Sequence, residues 1–338
     1  MMDRPAWVVI VNFRTPTLAM ACLASIEGMV ADLRGGGVVV VDNDSGDGSA
    51  AQIDAAIRAH GWGDWAELLA MPRNGGFAYG NNAGVRRAVA RDPRLGCAIL
   101  LNPDTVVAPH AFDALLRYLD SHPSVGIVGA RIVNQDGHSE TSAHRLPSPL
   151  GELENAAQFA PLSRMLSAHA VSPPVAAIAH ACDWVSGACM AIRREVLDAV
   201  GPLDEGYFLY FEEVDFCLRA KQAGWGCAFV PEACVTHLEG ASTGIAIGRR
   251  RRPSYWYESR RRFFVKAYGL AGLLRADVLW ACGRGSLSLR RALGLGGKAG
   301  ADGEPSHLAI DLLWGDLKAA LSGEWRTIQR LPRRLHAG

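Results

Sequence analysis

The chain has 338 residues, of which 49% are hydrophobic and 20% are charged, with a formal net charge of +1. This length can bury a sizeable core, and the composition excludes a disordered chain. The N-terminal apolar run 6–11 is too short for a signal peptide, and no stretch reaches the roughly 18 apolar residues of a spanning helix, so we expect a cytoplasmic protein.

The first 130 residues alternate strand-like and helix-like patterns. Strands are predicted at 7–11, 38–41, 67–71, 98–101 and 125–129. Helices are predicted at 17–29, at 49–60, at 82–90 and from Pro109. Continuous apolar β-rich runs suit strands that are covered on both faces. The alternation therefore predicts an α/β domain with a largely parallel sheet.

The second half of the chain is less regular at first. Residues 135–180 contain many Pro, Ser, Ala and His with weak periodicity, which predicts a long, mobile excursion able to cover an active site. Regular structure is expected to resume at Trp184, with a helix from Glu212 and a strand at 227–230. Beyond Gly244 the chain turns basic and helical, with a linker at 294–304. We predict two domains, residues 1–244 and 245–338.

The eight cysteines agree with a reducing compartment. None forms a Cys-x-x-Cys pair, and most lie inside apolar runs. This pattern is typical of buried free thiols rather than of disulfides or a zinc site.

Three polar clusters follow predicted strands, at the edge where open parallel sheets bind ligands. In 42–49, Asp42 can accept hydrogen bonds from a base or ribose, or the run is only an Asx-rich turn that caps a helix. In 73–82, glycines allow backbone to approach a ligand, ahead of a helix N-terminus. In 102–104, the lone carboxylate of Asp104 suits a divalent cation that bridges two phosphates, or it only caps a turn.

The order of these motifs resembles the GT-A fold glycosyltransferases of family 2, particularly the rhamnosyltransferase-like branch. The resemblance covers about residues 7–265 and rests on eight motifs. They are Val9–Phe13, Val41–Ser45, Asn74–Asn82, Leu101–Asp104, Ser186–Ala188, Gly201–Glu205, Phe211–Arg219 and His237. The resemblance implies a Rossmann-like, mostly parallel sheet with helices on both faces, here followed by a basic helical C-terminal extension.

The resemblance also implies a donor site and a metal site. The residues expected to line the nucleotide-sugar pocket are Asn12, Asp42, Asn74, Gly76, Asn81 and Asn102. Asp42 corresponds to the family's base-contacting aspartate. Asp104 matches the last residue of the Asp-x-Asp metal motif, in which Asn102 replaces one carboxylate. His237 is expected to be the second protein ligand of Mg²⁺ or Mn²⁺, with diphosphate oxygens and water completing the shell, although a lone histidine is often only structural.

An inverting transfer needs a carboxylate that takes the proton from the acceptor hydroxyl as it attacks the anomeric carbon. The family carries an Asp at the position of Glu213, so the resemblance implies Glu213 as the base and Glu212 as the alternative. The helix dipole alone would also favour acids there. Asp215 is expected to be structural, paired with Arg219. The residues expected at the acceptor or sugar pocket are Trp184, Ser186 and Gly187.

The charges are divided unequally along the chain. Residues 1–244 carry 17 Lys and Arg against 27 Asp and Glu, whereas residues 245–338 carry 18 against 7. The basic runs 249–252 and 260–262 flank aromatic residues, and no nucleic-acid-binding fold accompanies them, so we expect an anionic membrane surface as partner and not nucleic acid. Amphipathic helices at 270–282 and 308–321 would lie in that surface. A solvated extension or an oligomer contact is the alternative.

The leading hypothesis is an inverting, metal-dependent hexosyltransferase at the inner face of the cell membrane. It would move rhamnose or a similar sugar from a dTDP- or UDP-sugar to a glycan or polyprenyl-diphosphate-linked acceptor in cell-surface polysaccharide synthesis. A sugar-1-phosphate nucleotidyltransferase is disfavoured, because residues 12–16 lack that class's glycine-rich basic loop. A degenerate nucleotide-sugar-binding scaffold is the non-enzyme alternative. The sequence leaves the oligomeric state open.

Overall fold

A computed structural model of the chain describes residues 4–238, 251–295, 305 and 307–328. The described residues form two compact units. The first unit comprises residues 4–144, 174–208 and 212–238, and the second comprises 145–173, 209–211 and the described residues from 251 onward. The domain boundary at residue 244 stays a prediction, but residues 145–173 and 209–211 group with the C-terminal helices.

The regular elements of the described residues follow in chain order. The strands are β1 Ala6–Asn12, β2 Val38–Asp42, β3 Ala66–Ala70, β4 Cys97–Leu101, β5 Thr105–Val107, β6 Val125–Val133, β7 Ser139–Glu140, β8 Ala143–His144, β9 His180–Cys182, β10 Trp184–Val185, β11 Cys189–Arg193 and β12 Gly226–His237. The α-helices are α1 Pro16–Ile26, α2 Ser49–Ala59, α3 Gly76–Arg91, α4 Ala111–Ser121, α5 Pro149–Ala157, α6 Ala160–Met165, α7 Arg194–Val200, α8 Glu212–Gln222, α9 Ser254–Ala292 and α10 Leu308–Ser322. Helices α5, α6, α9 and α10 belong to the second unit.

The first unit is built on a mixed sheet in the order β3-β2-β1-β4-β11-β6-β12-β5, with β7 paired to β6 and β9 paired to β12. Strands β1 to β4 are parallel to their neighbours among these four, β12 is parallel to β6, and β11 runs antiparallel to both β4 and β6. Strands β8 and β10 form a separate two-stranded sheet. The predicted α/β class with a largely parallel sheet is confirmed.

The central strands determine where the polar clusters meet. Every residue of β1, β2 and β4 is buried, as their continuous apolar sequences predict. The parallel register pairs Asn12 with Asp42 and Ile10 with Leu101. The carboxyl ends of these three strands therefore share one edge of the sheet, and the polar residues after each strand lie at that edge.

Helix α3 begins at Gly76, so the start predicted at Asn82 is wrong. A Cβ atom at Gly80 would lie 2.7 Å from Cγ1 of Val11, and one at Gly84 would lie 2.3 Å from Cγ1 of Val9. These glycines allow the helix to pack directly on β1. Glycine is common in loops, so the glycines at the start of α3 predict a loop, whereas in the structure they permit close packing of a helix.

The segment predicted as an irregular excursion at 135–180 contains short strands and the helices α5 and α6, so that prediction is wrong for these parts. Helix α5 packs along α9. A Cβ atom at Gly283 would lie 2.9 Å from the Cβ of Ala156, which shows how closely the two helices approach. Pairing with a distant helix gives this segment a structure that its own periodicity does not reveal.

The second unit is organised around a buried arginine. Arg260 is 1% exposed and pairs with Glu152, Asp277 and Asp316 at 3.0, 2.9 and 3.1 Å. Arg261 is also buried and pairs with Asp316 at 2.7 Å. The expectation that the run 260–262 faces an anionic surface is therefore wrong for Arg260 and Arg261, because their charges are neutralised in the interior. Residues 249–250 and 296–304 of the predicted basic run and linker lie outside the described residues.

One stretch, Pro16–Leu33, has the length and the mean hydropathy, 1.3, of a membrane span, contrary to the sequence-based expectation that none exists. It consists of α1 followed by a 3₁₀ helix at Glu27–Leu33. Its buried side chains, Leu23 and Ile26 among them, belong to the core beneath the sheet. Length and composition alone are weak support for a membrane span, because core helices pass the same test.

Candidate active site

The ends of β1 and β2 form a rigid polar corner. Asp42 is 4% exposed, and its Oδ1 accepts hydrogen bonds from Asn12 Nδ2 at 2.8 Å and from Ser45 Oγ at 2.6 Å. The Oδ1 of Asn12 accepts from the backbone N–H and the hydroxyl of Thr15, at 3.2 and 3.1 Å. Asn12 is fully buried, and both ends of its carboxamide are engaged within this corner. Asn12 therefore holds Asp42 in place, and the base-contacting role of Asp42 stays a prediction.

A second asparagine, Asn43, connects this corner to the start of α3 and is not among the residues predicted from the sequence. Its Nδ2 donates to Asn74 Oδ1 at 3.0 Å and to the Gly76 carbonyl at 2.9 Å. The Oδ1 of Asn74 also accepts from the Gly76 N–H at 3.0 Å. Asn43 directly follows Asp42, so its position after a strand was the available signal.

Gly76 is at a place where the backbone permits no other residue. Its φ is +87°, and an added Cβ would lie 2.1 Å from the carbonyl oxygen of Phe208. The N–H of Phe77 donates to that same carbonyl at 2.8 Å. Asn81, one turn further along α3, donates to the Phe77 carbonyl at 3.0 Å, and its buried Oδ1 has no hydrogen-bond partner among the described residues.

The end of β4 meets the end of β12. The antiparallel pairing of β5 with β12 places His237 opposite Thr105, and the N–H of Leu238 donates to the Asp104 carbonyl at 2.9 Å. As a result, Nε2 of His237 lies 3.3 Å from Oδ1 of Asp104 and 3.3 Å from Nδ2 of Asn102. The pairing of β5 with β12, which are far apart in sequence, thus brings the two predicted metal ligands together.

The donor set of this pair fits a divalent cation that shares its shell with substrate. Two ligands at right angles on an octahedral ion with bonds of about 2.1 Å lie about 3.0 Å apart, close to the 3.3 Å between His237 Nε2 and Asp104 Oδ1. No group of three or more His, Cys, Asp or Glu side chains suited to a metal occurs in the described part of the chain. Phosphate oxygens and water would have to supply the other ligands.

The first turn of α8 carries the adjacent carboxyl groups of Glu212, which is buried, and Glu213, which is half-buried. The Oε2 atoms of Glu212 and Glu213 are buried and have no hydrogen-bond partner among the described residues. Burial raises the pKa of Glu213 to about 7. Burial, and then the neighbouring Glu213 charge, raise the pKa of Glu212 well above its usual value. Such a shift is the property that a general base needs in order to act near neutral pH.

Asp215, in the same turn, has a different environment. It is fully buried, and it accepts from Arg219 Nε at 2.9 Å and from the Tyr207 hydroxyl at 3.3 Å. The predicted pair of Asp215 and Arg219 is therefore present. The Arg219 guanidinium also donates to the carbonyls of Val200 and Pro202, at 2.6 and 2.8 Å, which fixes the chain that leads into α8.

The turn at residues 186–188 is adjacent both to α8, which carries Glu212 and Glu213, and to the motif that contains Asp104. A Cβ atom at Gly187 would lie 3.5 Å from Cε1 of Phe77 and 4.0 Å from the Cβ of Glu213. The next carbonyl, that of Ala188, accepts from the N–H of Asn102 at 3.0 Å. Four motifs far apart in sequence, on α3, α8, β4 and this turn, therefore meet around Gly187.

The remaining pocket residues predicted from the sequence lie beside this turn. Trp184 stacks on His144 with ring centroids 4.1 Å apart, and the N–H of Ser186 donates to the Ser142 carbonyl at 2.9 Å. Strand β10, which contains Trp184, packs against α8. His144 has no counterpart among the sequence-based predictions, since nothing in its local sequence marks it.

The chain matches known proteins over most of its length. A family model described as glycosyltransferase like family 2 matches residues 5–256. The chain is 30% identical over 273 residues to an N-acetylglucosaminyl-diphospho-decaprenol L-rhamnosyltransferase of Mycobacterium tuberculosis, covering 76% of this chain and 82% of that protein. It is 27% identical over 215 residues to the low-salt glycan biosynthesis hexosyltransferase Agl10 of Haloferax volcanii, covering 64% of this chain and 61% of that protein.

Solved structures share the fold. The chain superposes with a TM-score of 0.54 and 15% identity on GalNAc-T7 in complex with UDP, GalNAc and Mn²⁺, covering 94% of this chain and 58% of that one. It superposes with a TM-score of 0.52 and 16% identity on the mannosyltransferase PcManGT of Pyrobaculum calidifontis in complex with GDP-Man and Mn²⁺, covering 96% and 83%. At this identity the likeness concerns the fold alone, and it confirms the predicted GT-A architecture.

Proposed function

Because the chain belongs to glycosyltransferase family 2, we propose that it catalyses metal-dependent, inverting transfer of a sugar from a nucleotide diphosphate to a hydroxyl of a lipid-linked glycan. The donor is rhamnose or a similar sugar carried by dTDP or UDP, and the product belongs to a cell-surface polysaccharide. The relative from Mycobacterium tuberculosis, named as a rhamnosyltransferase for N-acetylglucosaminyl-diphospho-decaprenol, supports this substrate class.

The observation that carries the proposal is the meeting of two reactive groups around one turn. A Cβ atom at Gly187 would lie 4.0 Å from the Cβ of the catalytic candidate Glu213, and the Ala188 carbonyl accepts from the N–H of Asn102 in the motif that contains Asp104. A displacement reaction needs one group that withdraws charge from the leaving group and another that activates the nucleophile. Asp104 and His237 can hold a cation that withdraws charge from the leaving group, and Glu213 is the group that activates the nucleophile.

The corner at Asp42 is the proposed nucleotide site. Asp42 offers carboxylate oxygens at the end of β2, while Asn12 and Ser45 fix their direction. Asn43 and Asn74 fix the start of α3 at Gly76, whose backbone leaves room for no side chain. In this proposal Asn12 acts as a positioning residue through Asp42, and Asn81 and Asn102 line the sugar side.

Asp104 and His237 are the residues that would hold Mg²⁺ or Mn²⁺. A bound divalent cation neutralises the charge that develops on a leaving diphosphate. The Asn102 side-chain amide lies 3.3 Å from His237 Nε2 and so limits the orientation of the imidazole ring. The described residues offer two protein ligands, and diphosphate oxygens and water would fill the other positions.

Glu213 is the proposed base. The acceptor oxygen attacks the anomeric carbon while its proton moves to a Glu213 oxygen, and the bond between the anomeric carbon and the diphosphate oxygen breaks on the opposite face. This direct displacement inverts the anomeric configuration. A pKa of about 7 leaves a substantial fraction of Glu213 deprotonated at neutral pH, and Glu212, whose pKa is also raised by burial, is the alternative base.

A lipid surface is the proposed partner of the second unit, at the inner face of the cell membrane. Helix α10 buries Leu312 and Asp316 on one face, while its opposite face is apolar and exposed. That exposed face consists of Ile310, Trp314, Leu317 and Leu321. Helical spacing aligns these four side chains in one stripe about 16 Å long. An exposed apolar stripe with a tryptophan suits the boundary between lipid headgroups and acyl chains.

A donor screen tests the proposed function. Thermal unfolding of the full chain would be followed with dTDP-, UDP- and GDP-sugars, in Mn²⁺ and in EDTA. We expect one donor to raise the melting temperature in Mn²⁺ only, and Asp104→Ala to abolish this rise. Asp113→Ala, at a half-exposed acid on α4 that pairs with Arg117, is the matched control and should retain the rise.

The same screen separates an enzyme from a nucleotide-sugar-binding scaffold. An enzyme incubated with its stabilising donor and Mn²⁺ releases nucleoside diphosphate slowly by hydrolysis, whereas a scaffold binds without release. Absence of stabilisation by every donor would contradict the proposed function.

A further inference from the structure

Three cysteine thiols lie together in the first unit, and the proposed reaction does not use them. The thiol cluster consists of Cys182 on β9, Cys217 on α8 and Cys227 on β12. The antiparallel pairing of β9 with β12 places Cys182 directly opposite Cys227. Their Sγ atoms are 3.8 Å apart, and the Cys227 thiol also hydrogen-bonds with Cys217.

The backbone at this pair has the spacing that a disulfide requires. Directly opposed residues of an antiparallel ladder have Cα atoms about 4.5–5.5 Å apart, and disulfides span Cα separations of about 4.4–6.8 Å. The two sulfur atoms are already in contact. Rotation of the two side chains can therefore bring the sulfurs into bonding distance without rearranging the strands.

The Cys182 and Cys227 thiols differ in exposure. Cys182 is half-buried, whereas Cys217 and Cys227 are buried. Hydrogen bonding with Cys182 and Cys217, together with burial, raises the pKa of the Cys227 thiol well above its usual value. The thiolate is the form that reacts with oxidants, and the raised pKa of Cys227 disfavours its thiolate. Because Cys182 is also the more accessible of the two, we expect it to be oxidised first.

We propose that Cys182 and Cys227 are a reversible redox-modification site that closes into a disulfide in the presence of a peroxide. The Cys182 sulfur attacks one peroxide oxygen, the O–O bond breaks, and a sulfenic acid and one water form. The Cys227 sulfur then attacks the Cys182 sulfur, the S–S bond forms, and the sulfenic oxygen leaves as a second water. Two thiols are oxidised and one peroxide is reduced, and a dithiol reductant reverses the reaction.

This site stands independently of the proposed sugar transfer, although it adjoins the same elements. Cys182 immediately precedes residues 183–187, which contain β10 and the turn at Gly187. Cys217 is four residues after Glu213 on α8. A bond between β9 and β12 would therefore constrain the segment that leads into this turn.

Peptide mapping of the full chain tests the site. The Cys282→Ser variant is the starting protein, because Cys282 is exposed and would link molecules together. After a small excess of hydrogen peroxide and alkylation of the remaining thiols, trypsin leaves Cys182 and Cys189 in peptide 165–193 and Cys227 and Cys234 in peptide 222–249. We expect these two peptides to be joined, with the loss of two hydrogens, until a dithiol is added.

Single substitutions assign the sulfurs. Cys182→Ser and Cys227→Ser should each abolish the linked peptide, whereas the matched controls Cys189→Ser and Cys234→Ser should retain it. Fragmentation of the linked peptides from the starting protein gives the same assignment without relying on the folding of a variant. Alkylation of both Cys182 and Cys227 after peroxide treatment, or a link that involves Cys189, Cys234 or Cys217 instead, would overturn the proposal.

Discussion

The Glu213 carboxyl group has an environment unlike that of an ordinary surface acid. Its Oε2 is buried without a hydrogen-bond partner among the described residues, and its pKa is raised to about 7. An unpaired buried acid weakens the folded state, so its presence indicates a function other than stability. In contrast, the carboxylate of Asp215, two residues away, accepts hydrogen bonds from Arg219 and Tyr207, which indicates a structural role.

Glu213→Gln should lower kcat by about 10²–10⁴-fold with little change in donor binding, because general-base catalysis contributes about that much. In the unaltered protein kcat/KM should fall as pH drops below about 7, because protonation removes the base. Initial rates measured from pH 5.5 to 9 test both statements. A larger loss in Glu212→Gln than in Glu213→Gln would reassign the base.

The stability of Glu213→Gln is the control for that experiment. A carboxyl group whose folded pKa is raised from 4.5 to about 7 loses stabilisation as pH rises through this interval, because only the folded state retains the proton. The glutamine variant should therefore be more stable than the parent at pH 8, by about 1–3 kcal/mol, and the difference should vanish near pH 4. Urea unfolding at the two pH values measures this, and a destabilised variant would mean that the kinetic loss reports unfolding.

Two glycines at the site should respond differently to alanine. Gly76→Ala places a Cβ 2.1 Å from the Phe208 carbonyl at a φ of +87°, so we expect a loss of more than about 2 kcal/mol of unfolding free energy. The Cβ added by Gly187→Ala makes only ordinary contacts, the nearest at 3.5 Å, so the unfolding free energy should not change. The KM for the acceptor should rise, because the added methyl group lies beside Glu213. Denaturant unfolding with acceptor titration distinguishes the two; equal stability loss in both would contradict this account of the turn.

At the level of elements, the buried ion cluster is what arranges α5, α9 and α10 within the second unit. Arg260 reaches Glu152 on α5, Asp277 on α9 and Asp316 on α10. Burial raises the pKa of Asp277 to about 7 despite the guanidinium beside it. Asp316 points into this cluster, which directs the apolar stripe of α10 outward.

Arg260→Met should therefore cost about 3–5 kcal/mol of unfolding free energy near pH 8, because it removes the guanidinium that pairs with the buried Asp277 carboxylate. Arg251→Met removes the exposed pair with Asp311 and is the matched control, expected to cost less than about 1 kcal/mol. Denaturant unfolding measures both. Similar small losses in the two variants would show that the cluster does not hold the helices together.

The hydrophobic pattern of the sequence predicted the strands that are buried along their whole length. The strands at 38–41 and 98–101 were predicted within a residue of β2 and β4, because they are apolar throughout and buried on both faces. The start of α3 was missed, because Gly80 and Gly84 are required by contact with β1 and contact is not visible in one sequence. Helix α5 was missed for a related reason, since its partner α9 lies about a hundred residues later.

The candidate site was predictable as a set of motifs but not as a set of contacts. The family resemblance paired Asp104 with His237, and the pairing of β5 with β12 explains how they meet. Asn43 was not singled out, because its role depends on hydrogen bonds to Asn74 and Gly76 across a turn. The stacking of His144 on Trp184 likewise depends on the pairing of β8 with β10, which the sequence does not predict.

At the scale of the whole molecule, charge and apolar surface are distributed unequally. The acidic residues are concentrated in the part that carries the candidate site, and the basic residues in the part that follows. Since Arg260 and Arg261 are neutralised internally, the apolar stripe of α10 is the stronger argument for a lipid partner.

The double variant Ile310→Ser with Leu317→Ser should reduce binding to anionic lipid vesicles by at least about tenfold, because two side chains lose their transfer free energy into the interface. Ile178→Ser, at an exposed position of the first unit, is the matched control and should bind normally. Vesicle co-sedimentation measures both. Equal binding by the two variants, or a stripe that instead holds two copies of the chain together in light scattering, would contradict the lipid partner.

The central claim is that Asp104 and His237 hold a cation for a transfer in which Glu213 is the base. Its most direct test is a Mn²⁺ titration of nucleoside diphosphate release by chelator-treated protein, with the stabilising donor and a lipid-linked acceptor. The account predicts no transfer in EDTA, and an apparent Mn²⁺ affinity at least about tenfold weaker in His237→Gln and Asp104→Asn, with Asp113→Asn unchanged. Full transfer in EDTA, or the same Mn²⁺ dependence in all variants, would contradict it.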